Sequence, residues 1–72
     1  MKFITNKTDD NTCIIEQGMR FKNGPTSYIL ARVGESLYCL VSLEDGNRWH
    51  AAGSLEDVAH CLNRDDFELS LR

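Results

Sequence analysis

The side chains best suited to chemistry are three cysteines (Cys13, Cys39, Cys61), two histidines (His50, His60) and the acidic pairs Glu44-Asp45 and Asp65-Asp66. A thiol beside an imidazole can act as a nucleophile and its base. His60 and Cys61, however, are neighbours in a helical stretch, so their side chains diverge by about 100°. Neither a Cys-x-x-Cys pair nor a zinc-ligand spacing occurs. Three separated cysteines do not complete a disulfide framework, and free cysteine is commonly buried. Cys39 falls on the side of its strand that the pattern turns to the core, where a thiol is inert. The acidic pairs sit at turn positions and serve the turn first. No glycine-rich phosphate loop is present. The sequence thus predicts no catalytic residue, metal ligand or cofactor, and a protein that is not an enzyme.

The elements that must position any site are clearest between Tyr28 and Trp49, YILARVGESLYCLVSLEDGNRW. This reads as two strands and the start of a third. Turn signals stand at Gly34-Glu35-Ser36 and Glu44-Asp45-Gly46. Side-chain parity sets the register, because a slip of one residue moves a whole row to the other face. Ile29, Ala31 and Val33 on one strand, with Leu37, Cys39, Val41 and Leu43 on the next, stay together only across an odd-length connection. Val33 is then paired with Leu37. The same argument at the second turn favours a three-residue loop with Gly46 left-handed. It sets Val41 opposite Trp49 and Ser42 opposite Arg48.

Ser54 is a natural N-cap, with Glu56 and Asp57 in the first turn. Leu55, Val58, Ala59 and Leu62 form one apolar stripe, and Asn63 ends the helix. Phe67, Leu69 and Leu71 alternate with polar residues as a final half-buried strand. Residues 1–4 read as an edge strand, 6–12 as a polar loop and 13–21 as an irregular or bulged strand. Asn23-Gly24-Pro25 forces a turn. The fold class is α+β: a small antiparallel β-meander, three main strands with one or two more at its margins, with one α-helix packed on one face.

Both faces of the ribbon are apolar. The odd row, Ile29, Ala31, Val33, Leu37, Cys39, Val41, Leu43 and Trp49, is the expected seat of the helix. The even face carries Tyr28, Leu30, Arg32, Tyr38, Leu40, Ser42, Arg48 and His50. Tyrosine and arginine around an apolar centre make the composition of an interface hot spot. Tyr28, Leu30, Arg32, Tyr38, Leu40, Arg48 and His50 are therefore the candidate partner-binding residues. The competing reading folds residues 13–21, with Ile14, Met19 and Phe21, over this face within one chain.

Seventy-two residues hold a single core and form one domain. A chain of this size buries only about 60% of its unfolded surface, which favours support from a partner subunit. No apolar run approaches the roughly 20 residues of a membrane span, and the amino terminus lacks a signal-peptide core. A cytoplasmic location with no membrane partner is the expectation. Net charge is −3, and the excess lies in residues 54–72, where Glu56, Asp57, Asp65, Asp66 and Glu68 face only Arg64 and Arg72. Such a run reads as a solvated helix face, or as an acidic docking surface. A nucleic-acid partner would use Tyr28, Arg32, Tyr38 and Arg48, with tyrosines stacking bases. The acidic balance and the lack of any known nucleic-acid motif argue against it.

YILARVGESLYCLVSLEDGNRWH, followed by SLEDVAHCLN, resembles the small Yopt family of uncharacterised prophage proteins from bacilli. The resemblance covers nearly the whole chain and rests on overall sequence character, with no active-site motif. It implies a homodimer of unknown function whose subunit has three strands and one helix. It carries over no functional residue. Together these readings predict a non-enzymatic homodimeric interaction module, with an unknown host or phage protein as partner.

Overall fold

The computed structural model describes residues 2–5 and 12–70. Gly24 and Pro25 reverse the chain between β3 (Arg20–Asn23) and β4 (Thr26–Gly34), with Gly24 at φ 60, a backbone state that glycine adopts without strain. The turn pairs Asn23 with Thr26, and so places Phe21 opposite Tyr28 and Arg20 opposite Ile29. β5 (Leu37–Ser42) returns along the other edge of β4. Its register matches the expectation from parity: Tyr28 with Ser42, Leu30 with Leu40, Ala31 with Cys39 and Arg32 with Tyr38. At the tip the ladder shifts, so that Gly34 meets Leu37 and Val33 is the extra residue of a bulge. Glu35 and Ser36 make a two-residue turn, with Ser36 at φ 57, which corrects the expected three-residue connection and its pairing of Val33 with Leu37.

The helix α1 (Leu55–Arg64) begins at the predicted cap. Ser54 Oγ accepts from the Asp57 amide at 3.2 Å, and Asp57 Oδ2 accepts from the Ser54 amide at 3.1 Å. This capping box satisfies two of the orphan amides at the helix start. After α1, Asp66 turns at φ 54 and the Phe67 amide bonds back to the Leu62 carbonyl at 3.0 Å. The chain then enters β6 (Glu68–Ser70), antiparallel to β3. The main sheet has the order β5-β4-β3-β6. β1 (Lys2–Ile4) and β2 (Thr12–Ile14) form a separate parallel pair.

Both terminal strands thus exist, the first as part of its own small sheet. The expected loop at 6–12 lies outside the described residues apart from Thr12, which opens β2; Leu71 also lies outside them. Asn63 fastens β1 to the helix: its carboxamide accepts from the Phe3 amide and donates to the Phe3 carbonyl, both at 2.8 Å. One side chain thereby acts as a strand neighbour for β1.

The core sits on the even face of the ribbon, so the expected seat of the helix is corrected. Val58, Ala59 and Leu62 of α1 pack with Phe3, Ile15, Phe21, Tyr28, Leu30, Leu40 and Phe67. The reason lies on β3, where Phe21 is flanked by Arg20 and Lys22. Only one side of that strand can face a core, and its pairing puts Phe21 beside Tyr28. With Phe21, Leu30 and Leu40 each at 0% exposure, burial of such a side chain stabilises by roughly 1.5–3 kcal/mol. The competing closure of this face by residues 13–21 is found only in part: α1 and Phe3 cover the face as well, Ile15 takes the place expected for Ile14, and Phe21 joins it from a strand of the same sheet. Ile15 supplies the lid, and Met19 packs against the same cluster.

The second turn also differs. The Gly46 amide bonds to the Ser42 carbonyl and the Ser42 amide to the Asn47 carbonyl, closing a four-residue loop from Leu43 to Gly46. One residue more than expected reverses the parity of every residue after the loop. Arg48 comes opposite Val41 and the Trp49 amide bonds to the Leu40 carbonyl. Trp49 therefore turns to the core face and Arg48 to the opposite face.

Candidate interaction surface

The seven side chains expected to form one partner-binding face are divided among several environments. Leu30 and Leu40 are fully buried inside the single chain and Tyr28 nearly so. They cannot meet a second copy without unfolding, which removes the even face as a docking surface. Tyr38 is half-buried and packs against the core. Arg32 is exposed, its Nε donating to the Gly34 carbonyl at 3.1 Å. His50 is half-buried with Nδ1 against the Ala51 carbonyl. A carbonyl only accepts, so Nδ1 carries the proton, leaving Nε2 buried without a partner among the described residues. Arg48 is exposed on the other face of the sheet.

Sequence pattern did not identify the aromatic group at the edge of the core. Trp49 meets Phe67 with ring centroids 5.2 Å apart and Tyr28 at 5.5 Å, while Tyr28 and Phe67 are also 5.5 Å apart. All three contacts are edge-to-face, the arrangement that the ring quadrupoles favour. Trp49 Nε1 donates to Asp65 Oδ2 at 3.4 Å. Asp65 also accepts from Arg64 Nη2 at 3.2 Å. That bond is the main reason its carboxyl is held below the ordinary carboxylate range. The four-residue loop that turns the partly exposed Trp49 toward Tyr28 and Phe67 is the missing signal.

Among the described residues, the opposite face of the sheet is covered in part: Cys39 is buried there, whereas Leu37 and Leu43 at its two ends are exposed. Pairing registers define its rows. Leu43 lies beside Ser27, its amide bonded to the Ser27 carbonyl at 2.9 Å, with Lys22 and Glu68 next in line across β3 and β6. The adjacent row runs Arg48, Val41, Ile29, Arg20 and Ser70. Cys39 and Ala31 make a third row and Leu37 a fourth. Leu37 is 45% and Leu43 46% exposed, whereas Ile29, Ala31 and Val41 are half-buried. Cys39 is wholly buried despite standing in this outward row, which also corrects its expected place on the helix side.

An aliphatic strip along β4 and β5 is therefore flanked by cations. Arg48 borders it beyond β5, and Arg20 and Lys22 border it on β3. All three are exposed, and the ion pair between Arg64 and Asp65 does not involve them. Such a surface can bury apolar area and pair charges. Among the described residues, no group of three or more His, Cys, Asp or Glu is arranged to hold a metal ion. No described helix is long and apolar enough to cross a membrane. Comparison with known proteins finds no matching family model, curated protein or solved structure.

Proposed function

We propose that the chain is a non-enzymatic interaction module acting through protein–protein contacts made by the outward face of its sheet. The observation that carries this reading is the strip of Leu37, Val41, Leu43, Ile29 and Ala31, which stands outside the core cluster and leaves Leu37 and Leu43 exposed and the other three half-buried. Contiguous apolar surface rimmed by charge is the usual mark of a contact site. The prophage accessory role suggested by resemblance is compatible with it, because such a module needs only a surface. Self-association is the second reading, since a second copy could cover the same aliphatic strip in a homodimer.

The nucleic-acid alternative has less support. Of its four residues, Tyr28 is enclosed, Tyr38 packs on the core, and Arg32 and Arg48 belong to different parts of the surface. Base stacking needs exposed rings, and the outward strip has none.

The test compares wild type with an Ile29→Glu/Val41→Glu variant, both checked for native folding by circular dichroism. Sedimentation equilibrium reads self-association, and affinity capture from lysogenic bacterial cells reads other partners. The proposal expects an association, with itself or another protein, that the variant loses. Wild type that sediments as monomer and captures the same proteins as the variant overturns it.

A further inference from the structure

We infer that the occupant of the outward sheet face is an acidic amphipathic helix of another protein; this rests on the reading of that face as the interaction surface. Geometry supports a helix. The span from Arg48 across β5 and β4 to Arg20 covers three inter-strand steps, roughly 14 Å at about 4.8 Å each. A helix is about 10–12 Å wide with its side chains. Laid along β4 and β5, it covers Val41, Ile29 and Ala31 with its apolar stripe, and its two flanks stand over Arg48 and over Arg20 and Lys22. The inner face of this sheet already accepts a helix in the same manner, through Val58, Ala59 and Leu62.

Charge sets the sign of the partner. Among the described residues, the rows of the outward face hold three cations, Arg20, Lys22 and Arg48, against one carboxylate, Glu68. Glu35 and Glu44 are confined to the turns at either end. A symmetric pair of copies would bring six cations together with two carboxylates, and like charges in close apposition oppose association. A helix with carboxylates on both flanks meets the cations directly. The acidic layer across the molecule, with exposed Glu56, Asp57 and Asp66, repels the same helix and so orients its approach.

The test is fluorescence anisotropy with two labelled peptides of about 18 residues, long enough to become helical on binding. One carries leucines at i, i+3, i+4 and i+7 spacing with glutamates elsewhere; the other replaces each glutamate with lysine. The inference expects the glutamate peptide to bind at least about tenfold tighter, less tightly as salt is added. Arg48→Glu and Lys22→Glu each weaken it about tenfold while leaving the fold unchanged. Ile29→Glu abolishes binding of both peptides. Equal binding of the two peptides, or no binding of the glutamate peptide, overturns the inference. If wild type then forms a dimer that Ile29→Glu dissociates, the outward face remains the interaction surface with a second copy as occupant. If neither peptide binds and no association depends on Ile29, the underlying reading fails as well.

Discussion

The two faces of one sheet have similar aliphatic content and opposite fates. On the inner face, Leu30 and Leu40 are sealed by α1, Ile15 and Phe21. On the outer face, Ile29 and Val41, one residue along each strand, stay only half-buried. Hydropathy of the ribbon does not separate them. What separates them is the adjoining strand: β3 offers Phe21 to one side and Arg20 and Lys22 to the other. A face becomes core when every neighbouring element can contribute apolar surface to it, and remains an external surface when one neighbour supplies only charge.

The strongest way to break this contrast is to remove the side chain that decides it. Phe21→Ala leaves a cavity between β3, Tyr28 and Phe3, whose ring lies 5.3 Å from that of Phe21. It should cost about 3–5 kcal/mol in urea unfolding followed by circular dichroism. A loss below about 1 kcal/mol would place the core elsewhere.

Next in size is Asn63→Ala, which strips β1 of both its side-chain bonds to the helix. Leaving the Phe3 backbone without these partners should cost about 1–3 kcal/mol. Faster hydrogen exchange at the Phe3 amide, measured by NMR, should accompany it. Unchanged protection there would mean that the Asn63 bridge does not hold the strand.

Ser54→Ala should lower stability by about 1 kcal/mol through the lost cap. Ser54→Asp, which restores an acceptor, should recover most of it. Failure of aspartate to rescue would show that the capping bond is not what stabilises the helix start.

Smallest is the acid response of the Trp49–Asp65–Arg64 contact. The Arg64 hydrogen bond holds the folded Asp65 carboxyl below its ordinary value of 3.8. A carboxyl depressed in the folded state stabilises above the unfolded value, and that stabilisation is lost as pH falls through the lower folded value. Asp65→Asn should thus flatten the stability profile below pH 3.8 relative to wild type, and shift the emission of Trp49 already at neutral pH. Asp45 is depressed in the same direction, chiefly by the Asn47 amide, so a residual slope should persist in the variant. A profile identical to that of wild type would contradict the contact.

Much of this architecture is legible in the sequence, and the failures have physical causes. The register of β4 on β5, the Ser54 cap and the turn at Gly24-Pro25 come from local rules that tertiary contacts reinforce. Weighing aliphatic residues within the ribbon alone puts the helix on the wrong side. Arg20-Phe21-Lys22 holds the answer, because a strand with a single apolar side chain orients the whole sheet. At the second turn, parity applied to a three-residue loop misleads, since the chain closes a four-residue one. That single residue turns Trp49, still 39% exposed, to the core-side edge of the sheet and Arg48 to the outer face. The outward strip itself is visible as the odd row, but with its role and that of the even row exchanged.

The most direct test places one charge at two adjacent positions. Leu40→Asp and Val41→Asp differ by one residue in the chain and by the full contrast between the faces. Urea unfolding should find no cooperative transition for Leu40→Asp, because an unpaired carboxylate cannot be held among Phe21, Leu30 and Leu62. Val41→Asp should keep a cooperative transition with a loss of about 1–3 kcal/mol, because the half-buried Val41 leaves part of its side chain in water. A folded Leu40→Asp protein beside an unfolded Val41→Asp protein would invert the two faces and contradict the account.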